Sequence, residues 1–285
     1  MKQPDNLMRG KVCLITGGSS GIGKATALGL AALGAQVVII CRDPARGKAA
    51  QAEIRASSGN PAVDLLCADL ASQQSIRQVA REIQATYQQV HVLMNNAGVL
   101  MRQRSVTSDG LEMTFAVNYL APFLLTNLLL DLLKASAPAR IINVTSIVQR
   151  AIHFDDLHGE QHYSMMGAYG QSKLADVLFT YELARRLQGT GVTANCLHPG
   201  IVASNFTRDF PFPRLIHCLT RPLFLSPTQG AQTPIYLASS SQVEGISGKY
   251  FIKKRQAASS RQSYDAATGQ RLWQVSAELT GLTPT

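Results

Sequence analysis

Charge is sparse in this chain, cysteine sparser still, and no long apolar run occurs anywhere in it. Only 16% of its 285 residues are charged, while 46% are hydrophobic. A disordered chain needs the opposite balance, so a packed globular core is expected. A membrane span needs roughly 18 or more uninterrupted apolar residues. The nearest approach, Leu120 to Leu133, is broken by Pro122, Thr126, Asn127 and Asp131. Met1 to Asn6 carry no apolar stretch of the kind a secretory signal requires. The expectation is therefore a cytoplasmic protein with no membrane span and no N-terminal anchor.

The five cysteines, Cys13, Cys41, Cys67, Cys196 and Cys218, form no CxxC pair, and most sit in apolar runs as small buried side chains would. An odd count without ligand spacing argues against a disulfide framework or a zinc site. His153, His158 and His162 lie among Asp155, Asp156 and Glu160, but their spacing makes no convincing metal cage, and a loop-packing role is expected. The net charge is +9, which permits contact with anions. Only Lys253-Lys254-Arg255 forms a basic run, and no aromatics interleave it, so no nucleic-acid partner is expected.

What is abundant is alternation. Val12 to Ile15, Val37 to Ile40, Val63 to Cys67, Val90 to Met94, Arg140 to Val144 and Val192 to Leu197 are short apolar runs. Between them lie helical patterns over Gly23–Leu33, Ala45–Ala56, Gln73–Tyr87, Leu111–Lys134 and Tyr169–Leu187. Repeated β-α units predict an α/β fold: one doubly wound parallel sheet with helices on both faces, a Rossmann-type single domain over 1–285. Ser259 to Thr285 reads as a C-terminal extension with a short helix docked by Trp273.

Directly after the first strand comes Thr16-Gly17-Gly18-Ser19-Ser20-Gly21-Ile22-Gly23. Glycines there let backbone approach a pyrophosphate, and the following helix N-terminus offers free N–H donors and partial positive charge. Gly17, Ser19, Ser20, Gly21, Ile22 and Gly23 are thus candidate cofactor contacts. At the end of the second strand an acidic residue would bond the ribose 2′-hydroxyl of NAD. Cys41 stands at that position and Arg42 follows. The strand phase turns Asp43 away. Arg42 could hold a 2′-phosphate through charge-assisted hydrogen bonds, which favours NADP(H) over NAD(H).

Tyr169 and Lys173 lie four apart on one predicted helix face, and Ser146 follows the strand Arg140–Val144 at the edge where open α/β sheets place ligands. With Asn118 these four form the candidate catalytic set. A phenol with an ordinary pKa of about 10 is a poor base at neutral pH. A neighbouring ammonium favours the phenolate, and Lys173 is spaced to supply it and to hold the nicotinamide ribose. Ser146 would bond the substrate oxygen, and Asn118 would order a water-linked proton path.

These motifs, with Asp69-Leu70, Asn95-Asn96-Ala97-Gly98, Asn118-Tyr119 and His198-Pro199-Gly200, stand in an order that resembles the short-chain dehydrogenase/reductase family over about residues 10 to 205. The resemblance implies hydride transfer between NADP(H) and an alcohol or carbonyl substrate. It would place Asp69 and Leu70 beside the adenine, and Asn96, Ala97 and Gly98 along the adenosine. Pro199, Gly200 and Val202 would pass the nicotinamide amide. Ile152 to Leu157 and Leu183 to Leu187 resemble the retinol dehydrogenase branch, which implies a hydrophobic alcohol, aldehyde or ketone.

Residues 204–225 read as a substrate lid, as a buried helix or as a peripheral membrane contact. The helices near 119–134 and 170–187 could pair in a homodimer or be covered by the chain itself. The same fold could also serve a non-catalytic cofactor-binding regulator, which has no chemical need for all four of Asn118, Ser146, Tyr169 and Lys173.

Overall fold

The computed structural model describes residues 7–202 and 225–283. The 204–225 segment, Leu225 apart, lies outside the described residues. Strand β1 (Val12–Thr16) is apolar and almost wholly buried, as a strand covered on both faces must be. Around it runs one eight-stranded sheet in the order β3-β2-β1-β4-β5-β6-β7-β8. Its members are β2 (Gln36–Cys41), β3 (Val63–Cys67), β4 (Val92–Asn95), β5 (Ala139–Val144), β6 (Val192–His198), β7 (Tyr250–Ile252) and β8 (Arg255–Ala257). Strands β1 to β7 pair in parallel and β8 closes the edge antiparallel to β7. Strand order reverses between β1 and β4, and open α/β sheets form their ligand crevice at such a switch point.

The crossover helices start and stop where local chemistry says they should. Helix α1 (Gly21–Ala32) rises from the glycine-rich turn. Helix α2 (Pro44–Ser58) has Pro44 at its first turn and Asp43 as its cap, and it stops at left-handed Gly59. Helix α3 (Gln73–Thr86) is capped by Ser72. The stretch expected as one helix from Leu111 to Lys134 is instead segmented. Helix α4 (Met113–Phe115) gives way to a π turn (Ala116–Leu120), then α5 (Ala121–Leu128) and α6 (Leu130–Ala135). Helix α7 (Met165–Arg186) begins a turn earlier than expected because Ser164 caps it through the N–H of Gly167.

Two short helices, α8 (Pro227–Gly230) and α9 (Gln232–Ser239), precede β7. Lys253 and Lys254 form the tight turn of the β7–β8 hairpin, both with left-handed backbone.

The C-terminal helix is longer than expected: α10 spans Ala266–Leu279, with Asp265 accepting from the N–H of Ala267 as its cap. It lies on α7, where Trp273 meets Phe123 at 5.0 Å and Phe179 at 5.8 Å between ring centroids. The Arg186 guanidinium lies 4.1 Å from the Trp273 ring centre, and Tyr119 and Ser276 share a buried hydroxyl contact of 2.7 Å. The apolar faces near 119–134 and 170–187 are thus covered, at this contact, by the chain's own C-terminal helix. One buried cluster lies on the α3, α5, α7 and α10 side of the sheet, and a second on the α1, α2 and α9 side.

Candidate active site

The carboxyl ends of β1 and β4 are stitched together by one hydroxyl. Thr16 Oγ1 accepts from the backbone N–H groups of Asn96 (2.9 Å) and Ala97 (3.1 Å) and donates to the Met94 carbonyl. The Asn96 side-chain amide returns a bond to the Thr16 carbonyl at 2.9 Å. Gly17 follows with φ of 67°, and a Cβ there would come within 3.0 Å of the Ala97 backbone. A Cβ on Gly23 would strike the Gly17 carbonyl and the Asn96 amide. Contact requires glycine at 23, and left-handed backbone with a tight contact favours it at 17. Ser20 caps α1 with extended backbone and no side-chain hydrogen bond, so its hydroxyl does not occupy the helix's first N–H donors.

At the end of β2, Cys41 is buried and bonds the Asp43 carbonyl through its thiol. Asp43 accepts from the N–H groups of Ala45 and Arg46. Its carboxylate is occupied at the α2 N-terminus, while Arg42 is exposed at the strand end. Asp69 turns back on its own loop, accepting from Ala71 N–H, and Leu70 packs against the core. Pro199 and Gly200 follow β6 half-buried, and Val202 is buried in parallel pairing with Leu225. A Cβ on Gly230 would come within 2.6 Å of Val202 and 3.2 Å of Ile22, so these residues share one patch above α1.

The expected catalytic residues converge on α7 and its neighbours. Lys173 is buried. Its ammonium donates to the Val144 carbonyl at 3.0 Å and to Asp176 at 2.8 Å, and lies 6.0 Å from the Tyr169 ring centre. Tyr169 itself is half-buried. Ser146 stands two residues beyond the carbonyl that Lys173 grips, its Oγ accepting from Val148 N–H at 3.1 Å. Tyr250 donates to the Ser146 carbonyl at 3.2 Å, and burial raises its phenol well above the ordinary range.

Asn118 lies in the π turn, a helix irregularity often found at functional sites. Its side chain bonds within the chain. Oδ1 accepts from Val99 N–H (2.7 Å), and Nδ2 donates to the Val99 carbonyl (3.0 Å) and to Ser172 Oγ (3.1 Å). Ser172 in turn donates to the Tyr169 carbonyl at 2.8 Å. Its donors and its acceptor are all engaged, so the side chain braces the 96–99 loop against α7.

Sequence reasoning missed what lies beneath. The Asn95 amide donates to Asn143 (2.8 Å) and Thr126 (3.1 Å), and the Asn143 amide donates to Thr180 (2.9 Å). Thr180 donates to the Asp176 carbonyl at 2.6 Å. Asp176 was also missed. Burial raises its carboxyl to about 6 against the pull of Lys173. At Lys173 burial opposes the charge, but Asp176 and then Tyr169 outweigh it and hold the ammonium above its ordinary range. The 2.8 Å contact joins the two as an ion pair. The one signal available was an acidic residue three positions past a lysine on a helix otherwise apolar there.

The histidine-bearing loop before α7 is pinned by its own hydrogen bonds. Asp156 accepts from the N–H groups of Glu160, Gln161 and His162, and His158 Nδ1 accepts from Glu112 N–H.

A family model described as short chain dehydrogenase matches residues 11–211. Retinol dehydrogenase 12 of Mus musculus is 48% identical over 275 residues, covering 96% of this chain and 87% of that protein. Retinol dehydrogenase 14 of Homo sapiens is 44% identical, covering 97% of this chain and 88% of that protein. Among solved structures, an uncharacterised protein of Mycobacterium Paratuberculosis superposes with a TM-score of 0.78 at 30% identity, covering 97% of this chain and 96% of that one. The RhlG/NADP active-site complex of Pseudomonas aeruginosa superposes with a TM-score of 0.71 at 28% identity, covering 87% and 96%. A sheet switch point with Gly17 and Gly23 in the turn that follows β1, a tyrosine and lysine one helical turn apart on α7, and these relatives lead to one assignment: the chain belongs to the short chain dehydrogenase family and is an oxidoreductase.

Proposed function

We propose that this oxidoreductase reduces a hydrophobic aldehyde or ketone, or oxidises the matching alcohol, with NADP(H). The observation that carries the reading is the buried Lys173 ammonium 6.0 Å from the Tyr169 ring centre, gripping the end of the strand that leads to Ser146. In its bound state the nicotinamide supplies or accepts the hydride. The rest is done by side chains of this chain. Tyr169 gives its hydroxyl proton to the substrate oxygen, or takes one from it, and the Lys173 ammonium favours the phenolate that results. Ser146 Oγ holds the same substrate oxygen. Two of the three Lys173 N–H bonds go to Val144 and Asp176, which leaves the third for the nicotinamide ribose. Asn118 keeps the 96–99 loop against α7.

Gly17 to Gly23 would take the pyrophosphate on the first turn of α1. Asp69, Leu70 and Asn96 to Gly98 would border the adenosine, and Pro199, Gly200 and Val202 the nicotinamide amide. The NADP(H) preference rests on Arg42 at the end of β2 and on the engagement of Asp43 in capping α2. The RhlG structure, a homologue at 28% identity, is an NADP complex. A hydrophobic substrate is supported by Ile147 and Ile201, large apolar side chains exposed at 55% and 57% next to Ser146 and Gly200, and by relatives named retinol dehydrogenases.

Among the described residues no helix is long and apolar enough to cross a membrane. We place the protein in the cytoplasm, where the free thiols of Cys13, Cys41, Cys67 and Cys196 suit a reducing compartment.

Absorbance of the reduced nicotinamide, followed with NADPH and with NADH against a panel of aldehydes and ketones, tests activity, cofactor and substrate class together. NADPH should be preferred, Arg42→Ala should narrow that preference, and bulky apolar carbonyls should turn over faster than small polar ones. Tyr169→Phe should lose turnover by on the order of a hundredfold or more while still binding the cofactor. Equal turnover by wild type and Tyr169→Phe would refute the assignment of the base.

A further inference from the structure

Within α7, directly beneath Tyr169 and Lys173, sits a carboxylate that the chemistry above does not use. The Lys173 and Asp176 side chains are only 6% and 3% exposed and meet at 2.8 Å. One Asp176 oxygen holds the ammonium, and the other, Oδ1, is buried with no hydrogen-bond partner among the described residues. A buried carboxylate with an unmatched oxygen is costly to keep. The Thr180 hydroxyl bonds the Asp176 backbone carbonyl and leaves this carboxylate to Lys173.

We propose that Asp176 is a positioning residue acting through Lys173: its carboxylate draws the ammonium to the end of β5 and offsets part of the positive charge that Tyr169 meets. This rests on the assignment of Tyr169 and Lys173 given above. The Val144 carbonyl and Asp176 take two ammonium protons, and the ammonium lies 6.0 Å from the Tyr169 ring centre.

Among the described residues, three other ionisable groups are coupled to this pair. Tyr119 on the π turn and Cys196 on β6 sense the Asp176 charge, and Tyr250 on β7 senses Tyr169. Burial drives all three well above their ordinary ranges, so they stay neutral where Tyr169 and Lys173 act. Asp176 is therefore the anion that sets the balance. Removing a negative charge makes every neighbouring proton easier to lose, so both groups respond in the same direction.

The test compares wild type with Asp176→Asn, which keeps the size and removes the charge. Phenolate absorbance in the cofactor-free protein, read as the difference between each protein and its Tyr169→Phe counterpart, isolates Tyr169 from the other tyrosines. In Asp176→Asn the Tyr169 signal should rise at a pH lower by about one unit or more. Both limbs of the pH–rate profile for alcohol oxidation should move toward acid by a similar amount. If the absorbance titration is unmoved and turnover falls equally at every pH, Asp176 is merely structural and the inference is overturned. A wild type without turnover would defeat the functional reading alone, because the absorbance titration needs neither cofactor nor substrate. Should Asp176→Asn not fold, Asp176→Ser removes the same charge with a smaller side chain and is judged by the same two readings.

Discussion

Asn118 grips both backbone groups of Val99, accepting from its N–H at 2.7 Å and donating to its carbonyl at 3.0 Å. An asparagine can do both at once because its amide carries an acceptor and donors side by side. Asn118→Asp keeps the acceptor and loses both donors, which strands the Val99 carbonyl and places a charge at a residue only 1% exposed. The expected cost is about 1–3 kcal/mol in denaturant unfolding, with turnover reduced because the 96–99 loop loses its brace to α7. A variant as stable and as active as wild type would show that the brace is dispensable.

Trp273 is 5% exposed and wedged among Phe123, Phe179 and Arg186. Trp273→Ala should cost about 3–5 kcal/mol through lost contacts and the cavity left behind. It also uncovers the apolar face of α7. A lower melting temperature accompanied by self-association in sedimentation or light scattering is the expected pair of observations.

The β7–β8 turn is made by two lysines with φ of 49° and 65°. Left-handed backbone costs a non-glycine residue roughly 1–2 kcal/mol, and two-residue hairpin turns of this kind favour Asn-Gly. The double substitution Lys253→Asn and Lys254→Gly should stabilise the protein by about 1 kcal/mol. The denaturation midpoint should rise with no change in slope.

Glu182 accepts from Arg185 at 2.7 and 2.9 Å and from Arg186 at 2.6 Å. Burial pushes its carboxyl up, but the hydrogen bonds and charges of the two arginines outweigh burial and hold it below its ordinary value of 4.5. A depressed folded value means stability that is fully present above about pH 4.5. That stability is lost as pH falls through the lowered folded value. Because Arg185 is 55% exposed, solvent screening keeps the contribution to about 1 kcal/mol. Glu182→Gln should be slightly less stable at neutral pH and should lose less on acidification, as stability measured against pH in acid will reveal.

The sheet could be read from sequence because its apolar runs are short, separated by glycine, and alternate with helical periodicity; β3 begins and ends where expected. The loop after β1 was legible for the same reason, since Gly23 sits where only glycine fits and Gly17 where left-handed backbone favours it. The interruption at Ala116–Leu120 was not. Apart from Asn118 the residues there are buried and mostly apolar, and a π turn differs from a helix only in which carbonyl each N–H meets. β7 and β8, three residues each, are too short to carry a period. That Tyr169 and Lys173 share one face of α7 was legible by spacing, and that Ser146 follows β5 by the apolar run before it. Asp176 was not, because its significance lies in what surrounds it: it reads as an ordinary helical polar residue until the fold buries it against Lys173.

Thr16 carries a consequence for how any occupant enters. Its single hydroxyl clamps two loops that are about eighty residues apart in sequence, and Asn96 locks the clamp from the other side. The chain's own groups build this seat, and a seat held by internal bonds costs little affinity to order. Thr16→Val, nearly the same shape without the oxygen, would turn a rigid seat into one that each visitor must first put together.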